Sequence, residues 1–158
     1  MKKKIKSFYI AVDGSSASGK TTASKIISKE FKLKLLSSGK LYRYIAYKII
    51  KNKNKYNKNI IKNFSKSISE KKLNSKKLYS QSVTSLSSII AKKKYIRNYL
   101  KNYQIDFIKK NNFVIIEGRD IASKIIPNAD LKLFFRCSIR KKALRRFEEF
   151  KKNNSSIK

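Results

Sequence analysis

Histidine is absent from the 158 residues, which all but removes a zinc site or a histidine-based catalytic triad. A single cysteine, Cys137, can form no internal disulfide, and that usage fits a reducing cytoplasm. No apolar run approaches the ~20 residues that span a bilayer. The opening Met1-Lys2-Lys3-Lys4-Ile5-Lys6 has the charge of a signal-peptide leader. The apolar stretch behind it, Phe8–Val12, is too short for the hydrophobic part of a leader, so no targeting segment is read. Acidic residues are also scarce: nine stand against 41 basic ones, for a formal charge of +32. The chain length suits one domain-sized core.

A charge of this sign suggests nucleic acid as a partner. The lysines are scattered along the chain rather than massed on one element. Together with heavy use of asparagine and isoleucine, that pattern fits lysine as a generic surface residue under an AT-rich codon bias. Non-specific adhesion to RNA or DNA is expected; nucleic acid as the main ligand is not. Arginine is more informative, because only seven of the 41 basic residues are arginine. Two of them, Arg43 and Arg119, lie near glycines, where a planar guanidinium can grip phosphate or a base edge in bidentate fashion.

The four glycines are Gly14, Gly19, Gly39 and Gly118. All four are expected in loops just after strands, where positive φ or close ligand approach favours a missing side chain. The first two frame Gly14-Ser15-Ser16-Ala17-Ser18-Gly19-Lys20-Thr21, a full match to G-x-x-x-x-G-K-[ST]. An apolar run precedes this segment and a helix-period segment, Thr22–Phe31, follows it. A strand feeding such a loop into a helix N-terminus aims successive backbone N–H groups at one point, and the helix dipole adds to the attraction for phosphate. Residues Gly14, Ser15, Ser16, Ala17, Ser18, Gly19, Lys20, Thr21 and Thr22 are therefore the candidate nucleotide-phosphate site, which the family resemblance given below assigns to ATP. Lys20 would reach the β- and γ-phosphates, and the Thr21 hydroxyl would ligate Mg²⁺.

Strand-like and helix-like segments alternate, which implies an α/β domain with a parallel sheet. The strands are read at Phe8–Val12, Leu33–Leu36, Phe113–Ile116 and Leu131–Phe135, and the helices at Thr22–Phe31, Lys40–Lys51 and Ile139–Lys151. A polar, helical insertion occupies residues 52–111, so the core is expected from 1–51 and 112–158. Within the insertion, Tyr79, Val83, Leu86 and Ile90 form one apolar stripe, and Ile96, Leu100, Tyr103 and Phe107 form another. The stretch Lys51–Asn63, rich in lysine and asparagine, reads as a solvated linker or hinge.

Three motifs in this order resemble those of the bacterial cytidylate (CMP/dCMP) kinases: the glycine loop, Ser38-Gly39-Lys40-Leu41-Tyr42-Arg43, and Glu117-Gly118-Arg119-Asp120. The resemblance runs from about Ile10 to Arg146. It implies a P-loop kinase core with parallel sheet flanked by helices, a helical monophosphate-binding insertion and a lid. The implied reaction is γ-phosphoryl transfer from ATP to CMP or dCMP in pyrimidine nucleotide metabolism, by a cytoplasmic monomer. The resemblance further implies that Ser38, Tyr42, Arg43 and Arg119 hold the acceptor monophosphate. Ser88, Arg97 and Asp120 match positions that recognise cytosine in the family. Cytosine offers an amino donor beside two acceptors, so a carboxylate such as Asp120 and an arginine such as Arg97 suit it.

Phosphoryl transfer depends mainly on positioning and charge neutralisation. Lys20, Arg43 and Arg119 are the candidate catalytic residues on that ground. Asp13 and Glu117 end strands where a carboxylate can hold a metal-bound water or can satisfy backbone N–H groups; the sequence leaves both open. Arg140, Arg145 and Arg146 fall at the start of the expected lid. Two departures from the family pattern stand out. Arg136 ends the fourth strand where the family more often has an acid, and the chain stops at Asn153-Asn154-Ser155-Ser156-Ile157-Lys158, so a C-terminally incomplete family member of doubtful activity is the expectation. Competing readings are a kinase of another small acceptor, UMP or AMP, and a basic nucleic-acid-binding protein with a non-catalytic phosphate loop.

Overall fold

β-branched and apolar residues without interruption make strands that bury both faces, and the two most apolar segments of this chain do so. The computed structural model describes residues 6–154, without the side chains of Arg146, Glu149, Phe150 and residues 152–154. The opening Met1–Ile5, the polar residues 155–158 and the Arg146 side chain, all singled out in the sequence, lie outside the described residues. Strands β1 (Phe8–Gly14), β2 (Lys34–Ser37), β3 (Phe113–Gly118) and β4 (Leu131–Phe135) form one sheet in the order β2-β3-β1-β4. β1 pairs in parallel with β3, Ile10 opposite Ile115, and in parallel with β4, Val12 opposite Leu133. The sheet is thus the parallel α/β type expected, with its buried strands in the centre. At the edge, β4 leaves Leu131 and Phe134 exposed.

Two compact units result, one from Met1–Leu35 with Asn112–Lys158, the other from Leu36–Asn111. In the first unit, helix α1 (Lys20–Glu30) follows the glycine loop, and helix α7 (Ile139–Asn154) follows β4. The core there is Ile10, Val12, Leu33 and Ile115, with Phe8, Ile27, Leu35, Leu133 and Phe135 packed against it. Asp130 holds the entry to β4, its Oδ2 accepting from Tyr9 N at 2.7 Å.

The second unit is helical. It comprises α2 (Ser38–Lys51), α3 (Lys58–Lys66), the short α4 (Glu70–Leu73), a 3₁₀ turn (Lys76–Tyr79), α5 (Gln81–Ile90) and α6 (Lys94–Lys109). Leu41, Ile45, Ile49, Ile61, Leu78, Ile90, Ile96 and Leu100 are fully buried in it. Burial pushes the Tyr103 hydroxyl above its ordinary pKa, and the Glu70 charge adds to the shift. None of the helices among the described residues is long and apolar enough to cross a membrane.

Three sequence expectations are corrected here. Residues 58–63 of the supposed linker belong to helix α3, because Asn57 caps it (Oδ1 accepts from Ile60 N at 3.0 Å) and Ile61 is fully buried. Tyr79 is 52% exposed and precedes the α5 cap Ser80, so it belongs to no apolar stripe. Gly39 lies inside α2 and Gly118 inside β3, so the glycines do not share one loop role. Of the four glycines, only Gly19 has positive φ, at 93°.

Gly14 is needed for a different reason. A Cβ there would stand 2.8 Å from the Phe135 carbonyl oxygen and 2.8 Å from Ser18 Oγ. The first of these is backbone of the paired strand and cannot turn aside. Gly14→Ala should therefore part β1 from β4 and destabilise by about 1–3 kcal/mol, several degrees in Tm. Thermal unfolding of the two proteins measures it, and an unchanged Tm would mean that β4 yields without cost.

Candidate active site

In the first unit, the loop between β1 and α1 turns through two left-handed residues, Ala17 (φ 59°) and Gly19 (φ 93°). Such alternation makes a concave nest of backbone N–H groups that attracts anions. The α1 N-terminus has no side-chain cap and no acid in its first turn, so no residue of the helix itself offsets its dipole. Ser18 Oγ is buried without a hydrogen-bond partner, an orphan that a loop ligand or water can satisfy. Lys20 folds back on the loop, Nζ donating to Ser15 O at 3.0 Å. Thr22 is exposed on the same turn of helix.

The two strand-end acids part company. Asp13 is buried, and its carboxylate accepts from Ile121 N at 2.7 Å and from Ala122 N at 2.8 Å. Both oxygens therefore hold the π-helical turn Ile121–Ile125 that follows β3. Glu117, also buried, faces the loop instead: the Thr21 hydroxyl lies 3.0 Å from each of its carboxylate oxygens. Thr21 and Glu117 thus join the glycine loop to the end of β3. Arg119 is exposed and Asp120 half-buried just beyond that strand.

Of the arginines expected at the start of a lid, Arg145 on α7 reaches the loop, with Nη1 donating to Ala17 O at 3.1 Å and lying 3.8 Å from Cys137 Sγ. Arg140 is exposed, and Arg136 stacks over the Phe134 ring at 5.6 Å.

The other sequence candidates fall in the helical unit. Ser38 opens α2 and is buried; Tyr42 and Arg43 are half-buried one turn later. Arg43 Nη1 donates to Thr84 Oγ1 at 2.7 Å and to Leu78 O at 3.1 Å, and its guanidinium stands 5.0 Å from the Tyr79 ring centre. Ser88 is exposed on α5 and donates to Thr84 O at 3.3 Å. Arg97, on α6, donates to Ala91 O at 3.4 Å. Sequence reasoning passed over Thr84 and read Tyr79 only as part of an apolar stripe. The phase of the apolar stripe on α5 sets Thr84 off the core, but nothing local announces a partner 41 residues away.

Residues 10–158 match the family model for cytidylate kinase. The chain belongs to the cytidylate kinase family. A cytidylate kinase of Phytoplasma mali is 33% identical, the match covering 96% of this chain and 72% of that one. For a cytidylate kinase of Mycoplasmoides gallisepticum the figures are 34%, 94% and 70%. A probable cytidylate kinase of Vairimorpha ceranae is 36% identical over 90% of this chain and 71% of its own.

For a member of this family, the donor set around Thr21 is apt for Mg²⁺. A hydroxyl and a carboxylate are hard oxygen donors, and Mg²⁺ is usually held by one or two protein oxygens with waters and substrate phosphates completing the shell.

Proposed function

We propose that this chain transfers the γ-phosphoryl group of ATP to CMP or dCMP, as a cytoplasmic enzyme. The bond from the γ-phosphorus to the β,γ-bridging oxygen breaks and a bond to an acceptor phosphate oxygen forms, giving ADP with CDP or dCDP. One observation carries the reading: an uncapped helix N-terminus behind a left-handed glycine loop, in a chain of the cytidylate kinase family. ATP phosphates would lie on the N–H groups of residues 14–22, with Lys20 swinging from Ser15 O to the transferring group. Thr21 and Glu117 would hold Mg²⁺, which when bound supplies further neutralisation of the triphosphate. Arg43 and Arg119, with Ser38 and Tyr42, would hold the acceptor phosphate. Positioning and neutralisation are the whole task, because the transferring group spreads its charge over three oxygens.

Asp120, with Arg97 and Ser88, would read the base. Cytosine's amino group donates to a carboxylate, whereas uracil presents a carbonyl oxygen there. Two acceptors face to face should cost about 1–3 kcal/mol. The test compares kcat/KM for CMP, UMP and AMP with ATP as donor. CMP should lead UMP by about 10–100-fold, and Asp120→Asn, which adds a donor, should narrow the gap. Equal turnover of UMP, or a preference for AMP, would instead favour a kinase of another small acceptor.

A further inference from the structure

Arg43 is the residue of the helical unit with the most to lose from disorder, since a guanidinium on a long stem must be fixed before it can meet a phosphate in one geometry. The surroundings of its Nη1 account for both hydrogens of that nitrogen. One goes to Thr84 Oγ1 at 2.7 Å, the other to Leu78 O at 3.1 Å. Thr84 Oγ1 itself donates to Ser80 O at 2.9 Å. Its own proton being committed there, the hydroxyl turns a lone pair to the arginine, and the short distance is that of a charge-assisted bond. Tyr79 adds a ring face at 5.0 Å, within the reach of a cation–π contact.

The supports are themselves fixed. Leu78 is 1% exposed and Val83, one residue before Thr84, is 3% exposed. Ser80 caps α5, its Oγ accepting from Val83 N. The socket therefore stands on a turn anchored by the buried Leu78 and on the first turn of a packed helix, and it sets the plane of the guanidinium rather than merely its charge.

The geometry points to Thr84 as a positioning residue for acceptor-phosphate binding, with Tyr79 as its stacking partner around Arg43. This rests on the reading of Arg43 as a ligand of the CMP phosphate. Thr84 touches no reacting atom; it acts by holding Arg43 in one orientation, so that the acceptor meets a rigid fork. Leaving Arg43 charged but loose should weaken CMP far more than ATP.

The experiment measures CMP and ATP binding by calorimetry, together with the arginine side-chain NMR signals of the full chain. It uses wild type, Thr84→Val, Thr84→Ser, Arg43→Ala and Arg43→Ala/Thr84→Val. Thr84→Val keeps shape and removes only the hydroxyl. It should weaken CMP binding about tenfold or more, in line with a lost bond to a charged group, leave ATP affinity within about twofold, and speed the rotation of the Arg43 guanidinium. Thr84→Ser should restore both readouts. In the Arg43→Ala background, Thr84→Val should have no further effect on CMP.

Wild-type CMP affinity in Thr84→Val, or an equal loss with and without Arg43, would overturn the positioning role while the kinase reading stood. Absence of any CMP binding by the folded wild type would overturn the kinase reading itself, and the role with it.

Discussion

Lys20→Ala should lower ATP-to-CMP turnover by at least about 10²–10³-fold while hardly changing the retention of RNA on the same protein. The two halves of this result separate the kinase from a basic protein with an idle loop. Removing one preorganised donor from developing phosphoryl charge costs about 10²–10³ in kcat. Lys20 is a stronger case than a neutral donor, because it carries full charge and, donating to Ser15 O at 3.0 Å, sits on the loop proposed to cradle the triphosphate. RNA adhesion, by contrast, sums over the 41 basic residues of the chain. Deleting one charge changes the slope of log affinity against log salt by only about 0.7–0.9. Steady-state kinetics with CMP, and filter retention of RNA across a salt series, give the two numbers. A large fall in RNA retention with turnover unchanged would reverse the assignment.

The positions of the main strands and of α1, α2, α6 and α7 were legible because each obeys a local rule. β1 and β3 open on uninterrupted apolar runs, Phe8–Val12 and Phe113–Ile116, β4 follows the only proline-containing turn, and the helices repeat apolar residues at three and four. What failed was also local in cause. The residues around Ile61 were hidden by lysine and asparagine, though Asn57 as cap and apolar residues at 60, 61 and 64 form a one-sided short helix. Tyr79 kept helical spacing with Val83, yet the cap at Ser80 cuts it off. In the site, the glycine loop was legible since its chemistry is contiguous in sequence. Arg43 and its socket were only half legible: the arginine stood out by rarity, but Thr84 and the Leu78 carbonyl reach it through tertiary packing. Ala17 in the left-handed region could not be read at all, because the loop imposes that backbone on a residue that does not prefer it.

The acids at the ends of β1 and β3 look alike in sequence, and their contacts predict opposite defects. Asp13→Ala should destabilise the protein by about 2–5 kcal/mol. It strips the partners from Ile121 N and Ala122 N, bonded at 2.7 and 2.8 Å, and an unsatisfied buried donor costs about 1–3 kcal/mol. Asp13→Asn should be little better, since its amide nitrogen would confront one of the two N–H donors. The turn at Ile121 follows directly on Arg119 and Asp120, so weaker CMP binding should accompany the loss of stability. Glu117→Gln should behave in reverse, because the amide oxygen still accepts from Thr21 Oγ1, now 3.0 Å from each carboxylate oxygen. Its Tm should fall by much less than that of Asp13→Ala. Its kcat should drop by about 10–100-fold, with saturation moved to higher Mg²⁺, as an amide is a poorer partner than a carboxylate for a hydrated hard cation. Thermal unfolding and Mg²⁺ titration of activity, run on both variants, distinguish the roles. If Glu117→Gln lost stability as Asp13→Ala does and kept its Mg²⁺ dependence, the carboxylate beside Thr21 would be a structural tie and not part of the metal site.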